Sequence, residues 1–255
     1  MVPVEFCFKE QLNKVQRRVR QEINVKPASF EELVHLEMDV LDQTVNPAIV
    51  LAVSQAFKDH GQKSEALAGI MQFVFMANKV HKLMKDESDI AEELRQFPVL
   101  VGDFLYGKFF LELCREKLLS FLDPLAQVMG TMSKGGISRW LSRDKKLGLA
   151  QSLEIIEMES ASLTALAARL SAELAGASAP LQEQLEAFGW ELGLAWGAWK
   201  ERLETIEVQS ILQRAKAHLD EISSESQLQL RPLRELYLFM VKQLSTDYNP
   251  QEAGS

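Results

Sequence analysis

The 255 residues carry a formal charge of −8, with 47% apolar and 25% charged side chains, the balance of a globular chain long enough to bury one large core. That charge excludes a general nucleic-acid binder, which needs clustered cations to release counterions from phosphate. Two cysteines without a C-x-x-C pair, and a longest uncharged run of 15 residues (43–57) against the roughly 20 a spanning helix needs, exclude a disulfide scaffold and a transmembrane segment.

The first residues lack the charged-then-apolar start of a signal peptide, so a cytoplasmic chain is expected. Residues 1–28 read as an N-terminal helical segment whose Lys14, Arg17, Arg18 and Arg20 form a solvated face. Ser29 and Glu32 have capping-box spacing and open a domain running over 29–244. Pro47 suits the first turn of the next helix, which ends near Lys58. Residues 63–85 follow a three-four apolar spacing. Segment 97–113 is different: eleven of its 17 residues are apolar, so it belongs in a bundle centre or a subunit interface. Cys114 is expected as a small core hydrophobe. Asp123-Pro124 starts a helix to about Met132, and 133–136 and 142–146 read as breaks. Helices are then expected over 149–175, 181–207, 210–223 and 228–244, with a disordered tail over 245–255.

Glu32 and His35 have the spacing of a di-iron Glu-x-x-His motif, but none of His60, His81 and His218 supplies the second one such a site needs. A plain helix surface is the reading. Nucleophile-elbow, P-loop, zinc-protease and dinucleotide motifs do not occur. Trp190, Trp196 and Trp199, and the methionines Met71, Met76, Met84, Met129 and Met132, read as packing residues.

Five segments, in order, carry a resemblance. Asn46-Pro-Ala-Ile-Val-Leu-Ala-Val-Ser is similar to the helix after the Gly-Lys-Arg-x-Arg-Pro of trans-prenyltransferases, the polyprenyl synthetase family. Ala77-Asn-Lys-Val-His81 resembles the approach to that family's first DDxxD motif, and Val99-Leu-Val-Gly-Asp-Phe-Leu105 its "VLAGDYL". Residues 152–163 resemble "YLEIIRGKTASL", and Gly193-Leu-Ala-Trp196 the "GLAFQ" before the second DDxxD. Each match alone is weak, but their order and spacing hold over about residues 30–244. The resemblance implies an all-α, single-domain isoprenoid-synthase-like bundle around a deep central cavity.

It also implies a metal site, because expelling diphosphate from an allylic carbon requires its charge to be neutralised, in this family by Mg²⁺ on two aspartate-rich motifs. Here Lys82 and Leu83 stand at the first two aspartates of the first motif, and only Asp86 matches. At the second, Lys200 replaces the leading aspartate, while Glu201 and Glu204 keep carboxylates. Gln43, Thr44 and Asn46 occupy the positions of the diphosphate-binding cations, Phe75 that of a histidine, and Glu159 that of a lysine.

The chain therefore resembles the degenerate, non-catalytic component of a heteromeric heptaprenyl or hexaprenyl diphosphate synthase, with no cofactor of its own and Mg²⁺ on a catalytic partner. Such a component helps set product length for a quinone side chain such as that of menaquinone. Phe97, Leu100, Phe104, Phe110, Leu111, Leu125 and Val128 are the expected partner interface, and Phe73, Phe75 and Met76 the side chains that close the cavity. Two other readings stand beside it. One is an inactive homodimeric paralogue with an apolar ligand or another partner; the other is a live synthase using Asp86, Glu201 and Glu204 as an unusual metal set.

Overall fold

A computed structural model describes residues 6–23, 38–59, 61–83, 92–225 and 228–245. The Ser29–Glu32 cap, the Glu32–His35 pair, His60, Met84, Asp86 and all but the first residue of the expected tail lie outside these residues. Ten α-helices occur among the described residues. They are α1 (Lys9–Ile23), α2 (Val40–Ala56), α3 (Gln62–His81), α4 (Glu92–Arg115), α5 (Leu122–Leu141), α6 (Leu149–Ile156), α7 (Ser162–Leu174), α8 (Ala179–Lys200), α9 (Thr205–Glu225) and α10 (Arg231–Leu244). A π-helical turn, Glu157–Ala161, joins α6 to α7 without a break.

The antiparallel pair α2 and α3 forms the centre, because apolar side chains surround both. Fifteen of the 17 residues of α2 and fourteen of the 20 of α3 are buried, a pattern with no wet face. Around them pack α1, α4, α7 and α10, and α8 lies against α7 and α9. One core runs from Phe6 and Phe8 to Met240 and Leu244. Ser171 donates to the Val50 carbonyl at 2.8 Å and lies 2.9 Å from the Ser54 hydroxyl, tying α7 to α2. No helix among the described residues is long and apolar enough to cross a membrane.

Several bounds differ from the sequence reading, each for a physical reason. Asp39 and Asp42 form a capping box that starts α2 at Val40, seven residues before Pro47, so the proline sits inside the helix. Its missing N–H frees the Gln43 carbonyl, and Gln16 of α1 donates to that oxygen at 3.0 Å. Helix α5 continues through Gly135 and Gly136 to Leu141. A Cβ at Gly135 would lie 2.7 Å from Cγ of Glu159, so this glycine serves a close helix approach and not a turn. Helix α8 stops at Lys200, where Arg202 adopts φ +57°, and not at residue 207.

Cys114 is exposed, which corrects its assignment to the core. The basic residues of α1 form a seam more than a bare face: Lys14 pairs with Glu65 at 2.5 Å, Arg18 with buried Glu112, and Arg20 with Gln43 at 2.8 Å. Helix α4 turns Val101, Leu105, Phe109 and Leu113 inward and leaves Leu100 (63% exposed), Phe104, Phe110 and Leu111 in solvent, with Phe97 half-buried. Leu125 and Val128 do not belong with them. Helix α5 turns Leu125, Val128 and Met132 into the chain's own core, leaving Ala126, Gln127 and Gly130 outside.

Candidate functional site

Three helix ends converge at one end of the bundle. Asp39 and Asp42 cap the start of α2, Lys79 lies in the last turn of α3, and Lys200 is the last residue of α8. Asp42, almost wholly buried, pairs with both Lys79 and Lys200; Lys200 also reaches Asp39 at 3.0 Å. Burial alone would lower the pKa of Lys200, but the charges of Asp42 and Asp39 and their hydrogen bonds outweigh it and hold the ammonium above its usual value. Beneath this layer Lys200 lies 5.5 Å from the Trp196 ring, one turn back on α8, and Trp196 packs on half-buried Phe75 with centroids 5.3 Å apart.

The second half of the site is built on the π turn. The extra residue of a π-bulge re-aims side chains within a continuous helix, and here it presents buried Glu159 to α5. Arg139 donates through Nε and one Nη to the same Glu159 oxygen at 3.0 and 2.8 Å, and Lys82 lies 3.0 Å from that carboxylate. The Arg139 guanidinium also pairs with Glu201 at 2.9 Å. Burial, with Arg139 close by, pushes the Lys82 ammonium below the usual lysine value despite Glu159. Burial opposes the Arg139 charge as well, but its bonds to Glu159 and the pull of Glu201 raise it above the arginine norm.

Four cations, Lys79, Lys82, Arg139 and Lys200, thus meet four carboxylates, Asp39, Asp42, Glu159 and Glu201. Among the described residues no three Asp, Glu, His or Cys side chains converge in a way that could hold a metal ion. The acidic groups that do gather are engaged by ammonium and guanidinium groups, which repel a dication. The described residues at this end of the bundle therefore do not fit a magnesium cluster.

Of the positions singled out in the sequence, the structure joins Lys82, Glu159 and Glu201 through Arg139, and puts Lys200 on Asp39 and Asp42. Leu83 is half-buried against the core, and Glu204 is exposed, its carbonyl accepting from Glu207 at the start of α9. Gln43 donates to the Met38 carbonyl at 3.1 Å. Thr44 and Asn46 are buried, and among the described residues neither the Thr44 hydroxyl nor either polar atom of the Asn46 amide has a hydrogen-bond partner. Phe73 and Met76 are buried. Sequence reasoning missed Asp39, Asp42, Lys79 and Arg139. The available signal was charge arithmetic: a lysine at a position expected to be buried needs a carboxylate, and Asp39 and Asp42 directly precede Gln43.

A family profile, Polyprenyl synthetase, matches residues 43–199. The chain belongs to the polyprenyl synthetase family. It is 23% identical over 194 residues to the octaprenyl diphosphate synthase of Haemophilus influenzae, covering 72% of this chain and 59% of that protein. The chain spans between half and two-thirds (50–64%) of the length of such curated relatives. Its fold matches a decaprenyl diphosphate synthase from Rhodobacter capsulatus with a TM-score of 0.74 at 15% identity, over 93% of this chain and 97% of that one. A chain of the heterotetrameric geranyl pyrophosphate synthase of mint matches with a TM-score of 0.72 at 15% identity, over 91% and 98%. The fold is therefore the all-helical isoprenoid synthase fold in a single domain.

Proposed function

We propose that this polyprenyl synthetase family member is a non-catalytic subunit of a heteromeric prenyl diphosphate synthase, acting in isoprenoid biosynthesis. One observation carries the reading. Lys82 and Lys200 stand where metal-binding aspartates belong, and each is neutralised within the protein, by Glu159 and by Asp42 with Asp39. A site whose cations are side chains has no use for magnesium and offers a diphosphate no net attraction. The Phe75 and Trp196 rings, packed at a tilt of 39°, fill the space under Lys200, where a prenyl chain would need room. Magnesium and both aspartate motifs would come from the catalytic partner, docked on α4 at Leu100, Phe104, Phe110 and Leu111, large apolar side chains left in solvent as at interaction sites. The heteromeric mint enzyme supports this reading, since the same fold occurs there in a mixed assembly.

The test is co-expression with synthases that have intact aspartate motifs, followed by product-length analysis. The chain alone is expected to turn over no allylic and isopentenyl diphosphate with Mg²⁺, and to co-purify with a synthase whose product length it changes. Turnover by the purified chain alone would overturn the proposal. The same α4 face also suits a second copy; a homodimer that ignores every synthase would favour that reading instead.

A further inference from the structure

The C-terminal half of α5 and the turn after it carry a second surface. Over residues 134–149 there are five cations (Lys134, Arg139, Arg143, Lys145, Lys146) and one acid, Asp144, in a chain whose total is −8. Arg139 faces inward to Glu159 and Glu201 and fixes this helix end to the bundle. The opposite face is apolar and exposed: Ile137, Trp140 (51%) and Leu141 (62%), spaced i, i+3, i+4, with Leu149 just beyond. Lys134, Lys145 and Lys146 are exposed around them, and the Arg143 guanidinium lies 4.0 Å from the centre of the Trp140 ring.

We infer that residues 134–149 form a docking surface for an anionic membrane. A protruding indole and two large aliphatic side chains within a rim of lysine and arginine match the lipid interface, where the rings enter the headgroup level and the cations meet phosphate. Charge decides the occupant. The cations are concentrated here with a single acid among them, in a chain whose total is −8, so negative lipid draws this face. Docking there does not rest on the subunit assignment and goes beyond it.

Sedimentation of the full chain with vesicles tests it. Binding is expected to phosphatidylcholine vesicles containing about 30 mol% phosphatidylglycerol, but not to phosphatidylcholine alone, and about 0.5 M salt should release it. Trp140→Ser/Leu141→Ser and Lys145→Glu/Lys146→Glu should each weaken binding about tenfold or more, with circular dichroism melts unchanged because all four positions are exposed. The fluorescence difference between wild type and Trp140→Phe should shift to the blue on anionic vesicles. Equal binding to both vesicle types, or wild-type binding by the charge-reversed variant, would overturn the inference. So would a dimer lost in Trp140→Ser together with no vesicle binding, which would give the surface to a second copy.

Discussion

Glu159 accepts from Arg139 and pairs with Lys82, so its carboxylate holds two cations, of which Arg139 also has Glu201 at 2.9 Å. Removing one partner of a buried pair strands the other. Glu159→Gln is expected to cost on the order of 2 kcal/mol in urea denaturation, less than the roughly 3–5 of a fully buried pair because about a third of each cationic side chain stays exposed. Lys200→Asp tests the idea that an ammonium takes the place of a metal. It would bring a third carboxylate to Asp39 and Asp42, lowering the melting temperature without metal. Millimolar Mg²⁺ should then restore the melt of the variant while leaving that of the wild type unchanged. The two site lysines also titrate in opposite directions. Lys200, raised above the ordinary value of 10.5, contributes stability that is complete below pH 10.5 and lost as pH climbs through its raised value. Lys82, lowered from 10.5, adds stability above that pH and loses it as pH falls through its lowered value. Competitive acetylation mapped by mass spectrometry should therefore show Lys82 reacting at lower pH than Lys200.

At the scale of elements, glycine controls how closely the site-bearing helices approach. Gly189, Gly193 and Gly197 form one stripe of α8 against α7 and the π turn; a Cβ at Gly193 would lie 1.9 Å from the Thr164 hydroxyl and 2.9 Å from the Ala161 backbone. Gly193→Ala is expected to cost about 2 kcal/mol or more in thermal or urea unfolding, since overpacking against backbone leaves no flexible end to move. These contacts also explain what the sequence left illegible. Helical periodicity placed most of the elements, but Gly135-Gly136 read as a break because its use, admitting Glu159, exists only after α5 meets the π turn. Pro47 misled in the same way, since the donor that repairs its lost hydrogen bond comes from Gln16, far back in the chain.

For the whole molecule, family motif order made the bundle legible from sequence, and motif positions pointed to Lys82, Glu159, Lys200 and Glu201. Their partners were not legible. Asp39 and Asp42 carry an ordinary capping pattern, and only the meeting of α2, α3 and α8 makes them counterions. The proposed partner face yields a further prediction. Phe110→Asp on exposed α4 should leave the melt of the isolated chain nearly unchanged and abolish co-purification with a synthase, since burying that charge unpaired costs on the order of 3–5 kcal/mol.

The mutual pairing of the site's charges bears on how such a protein changes over generations. Every site lysine sits on a buried acid, Asp42 serving both Lys79 and Lys200 and Glu159 both Lys82 and Arg139, so any single step toward a metal-binding motif leaves an orphaned partner and a less stable fold. On the proposed reading, a route back to a diphosphate-splitting centre would need several coordinated replacements at once. The network thus works as a ratchet that keeps the chain committed to whatever role its surfaces serve.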